Sequence, residues 1–317
     1  MISSSPLAMA AFEYLEPTST DECIEMLTHY GPAASLLAGG TDLIVKLQHR
    51  ALRPRVVVNM GRLSDLRYLE QNDDGSVAIG ALTPLCDIER TNCLANGLDA
   101  IRQGATEVSC VQIRNTGTIG GNSCNASPSA DTVPPLIAVG AEARLLGPKG
   151  ERRVPLERFF RGPGKTMLEP GELLHGFHVP PPPHGTSSAY IKYAIRGPFD
   201  LAIVGIAARV TLDAERRIAA ADIVMGAVGP TPIRAQKAEQ LLVGETANEK
   251  VIGEAAALAA SESSPISDQR ATAEYRRRMV EVSTRAALRA AIWGLRKPSV
   301  TATIVRNSSP PSALLPR

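Results

Sequence analysis

Leu36-Leu37-Ala38-Gly39-Gly40-Thr41-Asp42-Leu43 is a short apolar run that empties into two glycines. Further along, Gln112-Ile113-Arg114-Asn115-Thr116-Gly117-Thr118-Ile119-Gly120-Gly121-Asn122 repeats the device, followed by Ala126-Ser127-Pro128 and Asp131. The first stretch reads as a strand feeding a glycine loop, with a helical segment from Leu43 to Gln48 behind it. Glycine lets backbone N–H groups turn toward one point with no Cβ in the way, and such a nest binds phosphate oxygens without a basic side chain. One Gly-Gly alone is most often a tight turn. Two such loops in this order and spacing are far more specific. The familiar nucleotide signatures fail: there is no G-x-G-x-x-G, and Gly164-Lys165-Thr166 only imitates the end of a P-loop. Phe159 stands where that motif needs its first glycine, and Pro163 removes an amide.

Outward from the loops, Phe12 to Leu15 reads as an extended opening, and Ser19 or Thr20 as the cap of a helix ending at Gly31-Pro32. Residues 55–59 and 76–82 read as strands, and 143–154 as a hairpin. Pro180 to Pro183 with Gly185 punctuates the chain sharply, which places a domain boundary there. Beyond it, Ala189 to Ala194, Ala202 to Leu212 and Ile218 to Ala227 read as three antiparallel strands. Helices then dominate. Arg234 to Val243 is one, and Tyr275, Met279, Val282, Ala286, Ala290 and Trp293 recur at spacings of four and three as one face of a long helix. Residues 296–317 form a Ser-, Pro- and Thr-rich tail expected to be poorly ordered.

The length of 317 residues suits about two domains. Lys plus Arg number 34 against 32 Asp plus Glu, and a net charge of +2 is too small for a nucleic-acid binder. No apolar stretch approaches the roughly 20 residues of a membrane helix. The N-terminus lacks a basic region followed by a hydrophobic core, so a cytoplasmic site is expected. Five cysteines without a C-x-x-C pair argue against a disulfide framework or an iron–sulfur cluster, and five histidines show no ligand spacing.

The two loops, the Ala126-Ser127-Pro128 and Asp131 segment, Phe159-Phe160-Arg161-Gly162, Glu172-Leu173-Leu174, Tyr190-Ile191-Lys192, Arg196, Asp200, and the run from Asp268 to Arg277 closely resemble the FAD-binding medium subunit of molybdenum hydroxylases. The resemblance spans about residues 11 to 295. It implies an α+β chain: a two-lobed, vanillyl-alcohol-oxidase-type (PCMH-type) FAD domain over 11–183 with its lobes split near 60–65, then a CO-dehydrogenase-flavoprotein-type C-terminal domain over 186–295 with a three-stranded antiparallel sheet and helices.

By the same resemblance, the amides of Leu36, Leu37, Ala38, Gly39, Gly40, Thr41, Asp42 and Leu43 would hold the pyrophosphate of noncovalent FAD. Thr118, Ile119, Gly120, Gly121, Asn122 and Ser127 would close over it from the second lobe. Asp131 would accept from a sugar or ribityl hydroxyl, Leu174 would pack on the adenine end, and Lys192 would lie beside the cofactor as a fixed charge. Val108 stands where some relatives carry an aromatic residue, so a stacking partner is missing there. Leu201 would border the flavin edge where the acceptor arrives.

Plainer readings stand beside these. Asp42 is equally a helix cap, Lys192 a solvated strand lysine, Leu201 a core leucine opening the next strand, and Arg196 with Asp200 a pair that pins a loop. His175 and His178 read as strand-end surface residues.

The resemblance also implies partners: a small iron–sulfur subunit and a large molybdopterin subunit, arranged as a dimer of heterotrimers, with this chain passing electrons to an external acceptor. No metal site is expected on the chain itself. A stand-alone FAD oxidase or reductase of the same cofactor-binding fold is the alternative, and a scaffold that has lost FAD is a third reading.

Overall fold

The computed structural model describes residues 9–294. The expected tail, 296–317, lies outside them. The first lobe is a three-stranded parallel sheet in which Val56–Asn59 lies between Glu13–Leu15 and Ala34–Leu37. Its helix, Thr20–Tyr30, starts where Ser19 Oγ accepts from Glu22 N, and Glu22 reaches back to accept from Thr18 N. That reciprocal exchange satisfies donors the first helical turn would otherwise leave open. The helix buries Cys23, Ile24 and Leu27 against Val56 and Val58, and this core runs on to Leu66. Each fully buried aliphatic side chain of this kind contributes about 1.5–3 kcal/mol.

The second lobe is built on a five-stranded antiparallel sheet in the order Leu69–Gln71, Val77–Gly80, Leu173–Val179, Glu142–Gly147, Gly150–Pro155. The segment between its second and third sequential strands carries the second glycine loop and short helices, among them Asp99–Thr106, Val111–Thr116, Ile119–Cys124 and Val133–Ala138. Gly164 sits at φ +68 in the turn joining the short strands Phe160–Gly162 and Lys165–Thr166, so the imitation P-loop is a hairpin turn. His175 and His178 both lie in the Leu173–Val179 strand, His178 next to its end and His175 nearer its middle. His175 is half-buried, with Nδ1 3.3 Å from Tyr68 Oη, and burial lowers its basicity.

No regular structure crosses Pro180 to Gly185. Beyond it the sheet has four strands, not the expected three: Thr186–Tyr193, Val204–Leu212, Ile218–Gly226 and the two-residue Ile233–Arg234. So short a strand gives no periodicity to read. Arg234 earns its place through charge, pairing with Asp222 and with Glu239 at 3.0 Å. Alternate residues serve alternate cores, as a strand's period of two requires. Tyr190, Ala207 and Val224 face the second lobe, while Ile206, Ala208, Ile223 and Met225 face the helices Gln236–Leu242, Glu249–Glu262 and Ala273–Trp293.

The buried face of the long last helix differs from the one its hydropathy predicts. Tyr275, Val282 and Trp293 are 42%, 52% and 44% exposed, whereas Arg276, Val280, Ser283, Thr284, Ala287 and Leu288 are buried. Small residues let this helix lie close to the strands. Arg276 can be buried because its guanidinium meets Asp268 at 2.7 Å and the Ile203 and Ala227 carbonyls at 2.7 and 3.3 Å. These partners offset much of the penalty that would otherwise keep a charge out of a core, although Arg276 Nε has no partner among the described residues. Among the described residues no helix is long and apolar enough to cross a membrane.

Candidate functional site

The Ala34–Leu37 strand ends in the first glycine loop, at the carboxyl edge of a parallel sheet, where such folds characteristically bind ligands. Gly40 sits at φ +72, in the left-handed region that favours glycine. Gly39 is needed for a different reason: a Cβ there would stand 1.9 Å from the Thr116 carbonyl oxygen of the second lobe. The loop thus presses directly onto its counterpart. Ile44 N donates to Gly40 O and opens the helix Leu43–Gln48. Among the described residues, the amides of Gly39, Gly40, Thr41 and Asp42 donate to no protein acceptor. Four adjacent unpaired amides are the donor set of an anion nest. Asp42 occupies the N-cap position of the Leu43–Gln48 helix, as the cap reading expects, but makes no side-chain cap hydrogen bond.

The second loop has the opposite economy of donors. Ile119 N donates to Thr83 O, Gly120 N to Ala81 O, Gly121 N to Thr118 Oγ1 and Asn122 N to Thr118 O, all within 2.9–3.1 Å. Its glycines serve contact, since a Cβ on Gly120 would meet Ala81 at 2.6 Å. This loop therefore offers shape and side chains, with its amides already spent. Asn122 Oδ1 accepts from Thr132 Oγ1 at 2.6 Å, which leaves its amide nitrogen free to point elsewhere.

Between the loops runs a cleft. Leu36, Ala38, Gly39, Gly40, Thr41, Asp42 and Leu43 line one wall, and Val108, Thr118, Gly120, Gly121, Asn122 and Leu174 the other. Six residues singled out in the sequence lie off these walls. Leu37 faces away, its Cδ1 beneath Gly40. Ile119 is fully buried in the second lobe's core. Ser127 Oγ accepts from Ser129 N at 3.3 Å.

Asp131 and Lys192 form a closed pair set back from the cleft, with Nζ–Oδ2 at 2.9 Å and side chains 7% and 1% exposed. Lys192 also donates to the Glu107 carbonyl at 2.8 Å, and Tyr190 Oη donates to Asp131 Oδ1 at 2.7 Å. The solvated-lysine reading is thereby excluded. Burial pushes the Asp131 carboxyl up to about 6, against the pull of Lys192 and of the Tyr190 hydroxyl. Leu201, 59% exposed, is no core leucine; it lines a second pocket with Ile195, Arg196, Asp200, Ile203, Gln269 and Arg270. Arg196 and Asp200 do pair, at 2.6 Å.

The sequence reading missed Lys46 and Asn125, which line the cleft from opposite lobes and meet at 2.5 Å. The available signal was helical spacing, which puts Lys46 one turn beyond Asp42 on the same face. The donor set fits FAD: unpaired amides suit a pyrophosphate, glycines stand where a Cβ would collide, and Val108 and Leu174 give an apolar surface. Among the described residues no three His, Cys, Asp or Glu side chains are grouped as a metal site, and all five cysteines are free.

Comparison with known proteins gives the same picture. Residues 10–182 match the FAD binding domain in molybdopterin dehydrogenase, and residues 189–291 the CO dehydrogenase flavoprotein C-terminal domain. A putative xanthine dehydrogenase FAD-binding subunit of Escherichia coli K12 is 36% identical over 266 residues, 82% of this chain and 89% of that one. The carbon monoxide dehydrogenase medium chain of Afipia carboxidovorans is 34% identical over 278 residues, 88% and 96% of the two chains. Among solved structures, a Cu,Mo-CO dehydrogenase chain superposes with a TM-score of 0.86 at 33% identity, covering 91% of this chain and all of that one. A chain of quinoline 2-oxidoreductase from Pseudomonas putida 86 gives 0.84 at 28% identity, over 90% and 99%.

Proposed function

The chain belongs to the FAD-binding medium subunits of molybdenum hydroxylases, and from that premise we propose that it holds one noncovalent FAD in the interlobe cleft and relays electrons to an external acceptor. The electrons come from a small iron–sulfur subunit, itself supplied by a large molybdopterin subunit where the organic or gaseous substrate is oxidised. The observation that carries this reading is the row of unpaired amides at Gly39, Gly40, Thr41 and Asp42 facing a second glycine loop across the cleft.

When bound, a flavin links one-electron donors to two-electron acceptors, and the protein supplies its position and potential. In this chain the amides of the first loop bind the pyrophosphate, and Thr118, Gly121 and Asn122 orient the linker from the other side. Leu174 gives the adenine an apolar seat, and Val108 lines the wall without stacking. Asp131 and Lys192 neutralise one another just behind that wall and add a rigid, polar backing. Through a 3.4 Å hydrogen bond from Nζ to the Pro198 carbonyl, Lys192 also ties down the loop that ends in Leu201. Leu201, 59% exposed at the end of that loop, is the residue assigned to acceptor approach in this reading.

The test is a comparison of the full chain, loaded with FAD, alone and in its complex. The expected result is one flavin per chain, released by denaturation, and reduction of that flavin by heterocycles, aldehydes or carbon monoxide only in the presence of the iron–sulfur and molybdenum subunits. Efficient oxidation of such a substrate by the isolated chain would promote the stand-alone oxidase. A purified full-length chain that takes up no FAD would leave only the scaffold reading.

A further inference from the structure

We propose that Lys46 is the side-chain cation for the cofactor's pyrophosphate, and that Asn125 holds it across the cleft as a strap between the lobes. The inference rests on the FAD reading above and adds to it a charge that the amide nest lacks. Among the described residues of the cleft walls, Lys46 is the sole basic side chain and Asp42 the sole acidic one. A pyrophosphate brings negative charge that backbone amides meet only with dipoles.

Lys46 has a short helical stem behind the nest, where Lys46 N donates to Asp42 O. Side chains on a helix lean toward its N-terminus, so the stem leans back over the loop. Its ammonium forms no ion pair with Asp42 or with any other described carboxylate. It donates instead to Asn125 Oδ1, at 2.5 Å, on the far lobe. A cation that spans a cleft to rest on a neutral amide has its charge unspent. An ammonium has three donors; Asn125 takes one, and two remain for phosphate oxygens.

Asn125 is itself held in place by an unusual turn. It ends the Ile119–Cys124 helix, with its N–H donating to Gly121 O, and the next residue, Ala126, adopts φ +46. An alanine in the left-handed region costs on the order of 1 kcal/mol, and such strain persists only where its surroundings over-determine it. Here Ala126 N donates to Ser123 O, and Ala126 O accepts from Gly164 N at 2.9 Å. The turn fixes the side-chain carbonyl of Asn125 toward Lys46.

Two variants of the full chain, Lys46→Met and Asn125→Ala, are titrated with FAD at low and at high salt, with wild type in parallel. Wild type is expected to bind FAD with an affinity that falls as salt rises. Lys46→Met should weaken binding by about tenfold or more at low salt, the worth of one hydrogen bond to a charged group. Its affinity should also be nearly independent of salt, because the screened charge is gone. Lys46→Arg should restore most of the affinity and the salt dependence. Asn125→Ala should keep the salt dependence but release FAD several-fold faster, since the cation remains and its tether is lost. Lys46→Met with unchanged affinity would overturn the proposal, as would a loss that persists equally at high salt. Wild type failing to bind FAD would instead refute the functional reading beneath it.

Discussion

Replacing Gly39 with alanine perturbs the cleft where the two lobes touch. The added Cβ would lie 1.9 Å from Thr116 O, 2.7 Å from its carbonyl carbon and 3.0 Å from Gly117 Cα, where ordinary contact begins near 3.4 Å. All three are backbone atoms, which cannot rotate out of the way, so the loops must separate by about 1.5 Å. Gly39 carries no left-handed φ, and alanine there brings no backbone strain of its own. The stability cost is therefore that of overpacking, about 1–3 kcal/mol. The effect on the cofactor is larger in proportion, because the donors at Gly39 to Asp42 move relative to Thr118 and Asn122. Losing one hydrogen bond to a charged phosphate is worth about 1.5–3 kcal/mol, or roughly 10–100-fold in affinity. Gly150→Ala is the control: its φ of +95 carries the left-handed penalty, yet nothing lies within 4 Å of the added atom and it is remote from the cleft walls. FAD titration by fluorescence quenching, beside denaturant melts of both variants, reads the two quantities separately. If Gly39→Ala binds FAD as wild type does, the loop is a packing turn and the donor argument falls.

Three other substitutions test the surrounding structure. Lys192→Met leaves the nearly buried Asp131 carboxylate without its cation and should cost about 3–5 kcal/mol at neutral pH. Because burial already raises the Asp131 carboxyl to about 6 from 3.8, folding favours its protonated form, and stability falls as pH climbs through that window. Removing Lys192 raises the carboxyl further, so the deficit should shrink as pH falls through about 6 and level off below it; a deficit constant in pH would show that Lys192 acts by packing alone. Arg276→Leu should cost about 1–3 kcal/mol in denaturant melts by leaving the Ile203 and Ala227 carbonyls without their donor, while Asp268 keeps Arg270 at 2.6 Å. Burial works to raise that carboxyl, but hydrogen bonds from Arg270 and Arg276 outweigh it and hold it below the usual range. Leu201→Trp, at a 59% exposed position, should change stability by no more than about 0.5 kcal/mol while altering flavin reoxidation by the acceptor in stopped-flow measurements; unaltered reoxidation would remove Leu201 from the acceptor path.

The glycine loops were legible because what they do is a property of backbone: Gly40 needs its left-handed φ, and Gly39 and Gly120 need the absence of a Cβ, whatever else surrounds them. The resemblance to a family supplied their order and purpose. What stayed hidden is pairing at long range. Lys46 and Asn125 are 79 positions apart, and Asp131 and Lys192 are 61 apart, so no local pattern joins them. Hydropathy misplaced the buried face of the last helix for the same reason, because Asp268 and two carbonyls make Arg276 a core residue. It likewise could not tell that the two loops, alike in composition, divide their labour. The second loop spends its amides on Thr83, Ala81 and Thr118, which makes it rigid, and the first leaves its own unspent. Under the proposed function, a rigid wall facing a donor-rich one would set the position of a bound linker from one side and supply its binding energy from the other. This asymmetry predicts that substitutions in the second loop disturb where the flavin sits, while those in the first decide whether it stays.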